Sequence, residues 1–249
     1  MKLFDVLGIR IPAPFLEHEE AGRFLPITNV KNGSDAQKVI GDISALLHLR
    51  DRDALGAVQY CISELIRNVL EHAGAPEGAF VCAHNYQNDS PKYPKRVSIA
   101  VADCGQGIRS HLVGNYPEVA DDDIKAMRLA MQPGITGARS AGYGGAPDNA
   151  GAGLFITRCI AKGTGGYFFA MSGAAGYRLR RANDEEAAEL SADPFMDRHD
   201  LWGLKNPWEG TVVAVEVCVE KIVDFQQYFR WIRKKIPPRL TCRSRPRFI

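Results

Sequence analysis

Three polar side chains lie four residues apart in one amphipathic segment of the chain. They are Glu64, Asn68 and His72, and the apolar residues around them keep a three-to-four spacing. Four residues turn about 40° past a full helical turn, so an α-helix would carry all three along one strip. A carboxylate there can take a proton from an attacking water, and an amide oxygen suits Mg²⁺. The plain alternative is an amphipathic helix with a solvated face.

A second polar feature is the sequence Asp103-Cys104-Gly105-Gln106-Gly107-Ile108. It follows a stretch of two-residue alternation, which predicts a β-strand over 96–102. A carboxylate at a strand end can accept a hydrogen bond from an amino group such as that of adenine. The glycines would let the backbone turn sharply and approach a flat ligand. Many ordinary turns share this pattern, so the motif alone does not identify a ligand.

A third feature is a glycine-rich stretch over 133–153 that leads into an apolar helical pattern. It contains Tyr143-Gly144-Gly145 and ends in Asn149-Ala150-Gly151-Ala152-Gly153-Leu154. The first N–H groups of a helix attract phosphates, although a mobile glycine loop is the simpler interpretation. The sequence contains no P-loop motif and no dinucleotide-binding glycine motif after a strand.

The elements that must position these features follow from periodicity, capping residues and breakers. A capping-box pattern at Ser34 predicts the first helix. The aspartates at 121–123 are expected to cap a short helix rather than bind a metal. Helices are predicted over 34–49, 51–74, 122 onward, 153–162 and 224–235, and strands over 79–86, 96–102, 166–172, 176–181 and 210–219. Residues 1–33 are predicted to be an extension that wraps the body, 182–209 an irregular insertion, and 223–249 a helix with a basic tail.

Composition predicts a globular cytoplasmic protein. The chain has 249 residues, 45% hydrophobic and 24% charged, and no apolar run long enough for a membrane helix or a secretory signal. Six scattered cysteines indicate reduced thiols. Eight Lys or Arg and no acid lie between Arg230 and Ile249, so this end could bind nucleic acid or an acidic partner, or simply be solvated.

The three features, in this order, resemble the GHKL superfamily, also called the Bergerat-fold ATPases. That superfamily includes gyrase-type topoisomerases, histidine kinases, mismatch-repair ATPases and anti-sigma-factor serine kinases. Residues 64–73 resemble its N box, 103–108 its G1 box and 151–154 its G2 box, and Gly210-Thr211 resembles its final Gly-Thr. The resemblance extends over residues 35–220, within a predicted ATP-binding domain of 34–222.

The resemblance implies an α+β fold, a two-layer α/β sandwich with a mixed β-sheet, helices on one face and an ATP lid over about 109–152. It implies ATP and Mg²⁺ as ligands, with Asn68 on Mg²⁺, Asp103 on the adenine amino group, Thr211 behind it and Glu64 as general base. His72 would contact phosphate or merely pack. The remaining expected contacts are Gly105, Gly107, Ile108, Gly144, Gly145, Gly151, Gly153 and Leu154.

Three functions remain open at this point. The first is an ATPase switch acting on a protein partner, the second a protein-serine kinase of anti-sigma type, and the third a nucleic-acid or protein binding module whose ATP is structural or lost. We expect neither a phospho-accepting histidine hairpin nor a second transducer domain from these residues. The chain is therefore closer to anti-sigma kinases and stand-alone bacterial ATP-binding proteins. Lid closure couples to dimerisation in this superfamily, so a homodimer is also considered.

Overall fold

Five strands form one sheet in the computed structural model, which describes residues 23–47, 52–86, 95–135, 151–180, 191, 193–222 and 224–235. The strand order is β1-β2-β3-β5-β4. The bounds are β1 Phe24–Val30, β2 Ala79–Tyr86, β3 Arg96–Asp103, β4 Tyr167–Leu179 and β5 His199–Cys218.

The pairings between these strands are all antiparallel, so the prediction of a mixed sheet is wrong for the described strands. The reason lies in the strand order. β3 and β4 run in the same direction, but β5 lies between them and is antiparallel to both. The long crossover from β3 to β4 therefore joins strands that are not neighbours.

Six α-helices accompany the sheet in the described ranges. They are α1 Gly33–Leu47, α2 Arg52–Asn68, α3 Gly107–Leu112, α4 Asp123–Ala130, α5 Gly153–Gly163 and α6 Phe225–Lys235. α2 continues into one π-helical turn, Val69–Ala73, and ends at Gly74 in the left-handed conformation with φ 58°. This end agrees with the predicted stop at Gly74. None of the helices in the described part is long and apolar enough to cross a membrane.

The core lies between the sheet and the helices. Burial alternates strictly along β2 and β3, so each strand presents one face to the helices. Val97, Ile99 and Val101 of β3 are buried in one cluster with Ile62 of α2 and Ile156 of α5. Burying each such side chain contributes about 1.5–3 kcal/mol. The coarse prediction of an α+β sandwich with a substantial core is therefore confirmed.

Several elements differ from the sequence-based prediction. The N-terminal extension contributes the edge strand β1, α3 has no counterpart among the predicted helices, and β4 is one strand where two were predicted. β5 begins at His199, so the second part of the predicted insertion extends the β4–β5 hairpin. The strand differences all arise from pairing between distant segments, which a local window of sequence does not reveal.

The helix caps confirm one prediction and correct another. Asn32, not Ser34, caps α1, because its Oδ1 accepts hydrogen bonds from the backbone N–H groups of Ser34 and Asp35. Asp122 caps α4 and accepts from Lys125 N, as expected for the acidic run.

The five cysteines in the described ranges are thiols and not disulfide partners.

Candidate functional site

The first two sequence features meet at the end of the π-helical turn. Gln106 N donates a hydrogen bond to Ala73 O at 2.8 Å, and Gln106 Nε2 donates to His72 O at 2.8 Å. Gly105 packs so closely that a Cβ there would overlap the carbonyl of Ala73. A glycine is therefore required at this position, because the loop after β3 contacts the end of the helix here.

Asp103 ends the central strand β3 and is 2% exposed. Its Oδ1 accepts a hydrogen bond from Gly105 N at 2.8 Å. Burial raises the pKa of this carboxyl, and hydrogen bonds from the backbone N–H groups of Gly105 and Thr211 oppose the rise. Trp208 Nε1 donates to the backbone carbonyl of the same residue at 3.1 Å. The aspartate is thus held in one orientation at the end of its strand.

Two hydroxyl groups support the loop that follows Asp103. Ser172 Oγ donates to Gly210 O at 2.8 Å, accepts from Ile108 N at 2.9 Å and lies 3.1 Å from Thr211 Oγ1. Gly107, with φ 75°, needs its glycine for the turn that starts α3. The predicted residues Gly107, Ile108 and Thr211 therefore lie together, joined by a serine that the sequence did not single out.

Glu64 is a residue of α2, and its side chain packs against the first turn of α5. It is 5% exposed, and its Oε2 is 2.5 Å from Nη2 of Arg67. A Cβ at Gly153 would overlap the same carboxylate oxygen. Burial raises the pKa of Glu64, and the charge and hydrogen bond of Arg67 oppose that rise. The first and third sequence features are therefore in contact.

His72 does not continue the strip on which Glu64 and Asn68 lie. The π-helical turn begins after Asn68, so the ladder shifts by one residue before His72. The Asn68 side chain is half-buried and does not cap this turn. His72 stacks on His111, with ring centroids 4.8 Å apart. Burial, and secondly the neighbouring His72, lowers the pKa of His111. His72 therefore packs against an imidazole of α3.

The glycine-rich stretch is held at both of its ends. Gly134 N donates to Gly151 O at 2.9 Å, and a Cβ at Gly151 would overlap the carbonyl of Ile135. Gly151 has φ 83°. Leu154 is half-buried and packs against the core from α5. The predicted contacts Gly144 and Gly145 lie outside the described residues.

The described part of the expected lid is largely helical. α3 and α4 both fall within 107–130, and Arg109 Nε pairs with Asp123 Oδ1 at 2.7 Å. Asp123 Oδ2 also accepts from Ala174 N of β4 at 2.9 Å. This carboxylate therefore ties both helices to the sheet.

The site offers few ready-made metal ligands. No group of three or more His, Cys, Asp or Glu side chains that could hold a metal occurs in the described ranges. Asn68 supplies one hard amide oxygen. Mg²⁺ needs no protein cage when nucleotide phosphates and water complete its octahedral shell, so this donor set fits Mg²⁺ arriving with a nucleotide.

Three residues of the arrangement were missed at the sequence level: Arg67, Ser172 and Trp208. The spacing of Arg67, three residues after Glu64, is a signal for a helical ion pair and could have identified it. Trp208 reaches the end of β3 because β5 pairs with β3, and Ser172 reaches it because β4 pairs with β5. No local pattern marks them.

Comparison with known proteins adds no family to this description. No protein-family model matches the chain, and no curated protein matches it. Function is therefore inferred from the residues and from their arrangement.

Proposed function

We propose that this chain binds Mg·ATP between α2, the loop after β3 and the N-terminal turn of α5, and hydrolyses it as a switch on a protein partner. One observation supports this above all. Residues 64–73, 103–108, 151–154 and 210–211 are far apart in the chain, but each contacts another of the set, through the pairs Glu64–Gly153, Ala73–Gly105 and Asp103–Gly210. The sequence motifs that suggest a nucleotide are therefore neighbours in space.

Adenine recognition is assigned to Asp103. Its carboxylate is buried and held by backbone N–H groups, so an oxygen can accept a hydrogen bond from an exocyclic amino group. Guanine presents a carbonyl at the same ring position and would repel the carboxylate. Losing one such hydrogen bond costs about 1–3 kcal/mol, which corresponds to roughly 10- to 100-fold in affinity.

The phosphates are assigned to the Gly151–Gly153 turn at the start of α5, whose N-terminal N–H groups favour anions. Close packing at both glycines leaves no room for a side chain. Asn68 would hold Mg²⁺, which when bound neutralises phosphate charge. The chain therefore provides an anion-binding helix end in contact with the Glu64 carboxylate, and an amide one helical turn further along α2.

Hydrolysis is assigned to Glu64. Its carboxylate would take a proton from water while the water oxygen bonds to the γ-phosphorus and the bond from that phosphorus to the bridging oxygen of ADP breaks. The proton then passes to solvent. A positioned general base contributes on the order of 10²–10⁴-fold to the rate. Reopening of the lid, expected over about 109–152, would release the partner after hydrolysis.

The test is phosphate release and calorimetric nucleotide binding on the same samples. Glu64→Gln should bind Mg·ATP and lose turnover by roughly 10²–10⁴-fold. Asp103→Asn should weaken ATP binding by roughly 10- to 100-fold and reduce preference over GTP. Ser63→Ala, an exposed neighbour on α2, is the control and should match the wild type.

Each outcome separates the alternatives. Binding without turnover in the wild type would favour transfer of the phosphoryl group to a serine of a protein partner. A wild-type protein that binds no nucleotide would contradict the proposal.

A further inference from the structure

The ion pair between Arg67 and Glu64 joins a half-exposed guanidinium to a buried carboxylate. The Glu64 side chain is 7% exposed and that of Arg67 36% exposed, so the pair lies at the rim of the buried region. An isolated buried carboxylate tends to stay protonated, because burial disfavours the charged form. A general base must be deprotonated, so a nearby positive charge is needed.

The surroundings of Glu64 identify Arg67 as the main source of that charge. Glu71, in the π-helical turn, acts in the opposite sense, and Arg233 of α6 acts in the same sense more weakly. Tyr60 and Cys61 on α2 are also within electrostatic reach and have pKa values raised by their own burial. The first turn of α5, which packs on the carboxylate, has no charged residue.

Arg67 makes this contact at a cost to itself. Its Nε is buried and has no hydrogen-bond partner among the described residues. An unsatisfied buried donor is unfavourable, and such groups are rare in folded proteins. A guanidinium placed only for stability would satisfy this donor. Its position is better explained by the carboxylate that it holds.

We propose that Arg67 is the positioning residue of the general base, holding the Glu64 carboxylate ionised and in one orientation beside the first turn of α5. The inference rests on the proposed hydrolysis, in which Glu64 takes the proton from water. Arg67 itself need not touch the nucleotide. Its effect is transmitted through the charge and hydrogen bond at Glu64 Oε2.

The first measurement does not depend on turnover. The Glu64 carboxyl carbon is titrated by NMR in protein labelled with ¹³C-glutamate, and the resonance is assigned by its loss in Glu64→Gln. Arg67→Gln keeps a hydrogen-bond donor and removes the charge, so the titration midpoint should move to higher pH. Arg67→Lys keeps the charge and should move it less. Arg52→Gln, on the first turn of α2, changes net charge equally and should leave it unchanged.

The second measurement is the pH profile of phosphate release. In Arg67→Gln the acid limb of kcat should move to higher pH by the same amount as the NMR midpoint, with the rate at high pH recovering to within a few fold. A loss that is uniform across pH would indicate a merely structural role and overturn the inference, as would an unchanged NMR midpoint. No phosphate release by the wild type at any pH would instead overturn the proposed hydrolysis, while the NMR result would still decide what Arg67 does to Glu64.

Discussion

At the residue scale, the site contains two buried carboxylates with different supports. Glu64 is held by the side chain of Arg67, and Asp103 is held by backbone N–H groups. A long side-chain partner can change rotamer when a ligand arrives, whereas the backbone donors Gly105 N and Thr211 N are fixed by the turn and the strand that carry them. The difference suits the two proposed roles, because a general base changes its protonation during each cycle and a base-recognition group does not.

The raised pKa values of these carboxyls predict how stability depends on pH. Burial raises both above their ordinary values. The folded protein therefore binds protons that the unfolded chain releases, so the stabilisation is complete below the unfolded pKa values and is lost as pH rises through the folded ones. We therefore compare the wild type with the double variant Glu64→Gln/Asp103→Asn. Between pH about 4 and about 7, the free energy of unfolding of the double variant should rise relative to that of the wild type.

Urea unfolding at several pH values measures this slope. Asp200→Asn is the control, because hydrogen bonds from Arg180 and Arg178 lower the pKa of Asp200 to about 2. Its effect should be nearly constant over the same interval. A difference for the double variant that stays constant, or that shrinks as pH rises, would contradict the assignment.

At the element scale, the loop after β3 depends on contact with the end of α2. Replacing Gly105 by alanine would push a methyl group into the backbone carbonyl of Ala73, which cannot move as a flexible side chain can. Gly105→Ala should lower the free energy of unfolding by roughly 1–3 kcal/mol. It should also weaken nucleotide binding, because the loop that orients Asp103 must shift.

Gly41→Ala provides the matched control. Gly41 lies within α1, and a Cβ there would meet nothing within 4 Å. Alanine favours the helix over glycine, so this change should raise stability by roughly 0.5–1 kcal/mol and leave nucleotide binding unchanged. Equal effects of the two substitutions in thermal and urea unfolding would show that the contact at Gly105 does not matter.

At the scale of the whole molecule, a buried ion network connects α5 to the β4–β5 hairpin. Arg158 is fully buried and bonds to Tyr177 Oη and Pro194 O, each at 2.7 Å, and to the Asp197 carboxylate. Lys162 pairs with the other oxygen of Asp197. One carboxylate therefore compensates two buried cations on the helix whose N-terminal turn forms part of the proposed site.

Removing that carboxylate should be costly. Asp197→Ala leaves two buried cations without this counter-charge and should lower the free energy of unfolding by about 3–5 kcal/mol. Asp200→Ala, which breaks the exposed pairs with Arg178 and Arg180 on the same hairpin, should cost far less. The two are compared by urea denaturation. A similar loss in both would show that the buried network contributes little.

The sequence by itself determined the local elements and the identity of the candidate site residues. The period of apolar residues placed β2 and β3 almost to the residue and located α2, α5 and α6, because each period depends only on neighbouring positions. The glycines at 105 and 107 were singled out for close approach, and both make such contacts.

Only the tertiary structure decided which groups meet. β5 lies between β3 and β4, pairs antiparallel with both, and brings Ser172 and Trp208 to the end of β3. The π-helical turn moves His72 off the predicted strip. Burial of Glu64 under α5 makes Arg67 its partner. These outcomes depend on contacts between distant segments, whose energies come from packing and desolvation rather than from local sequence.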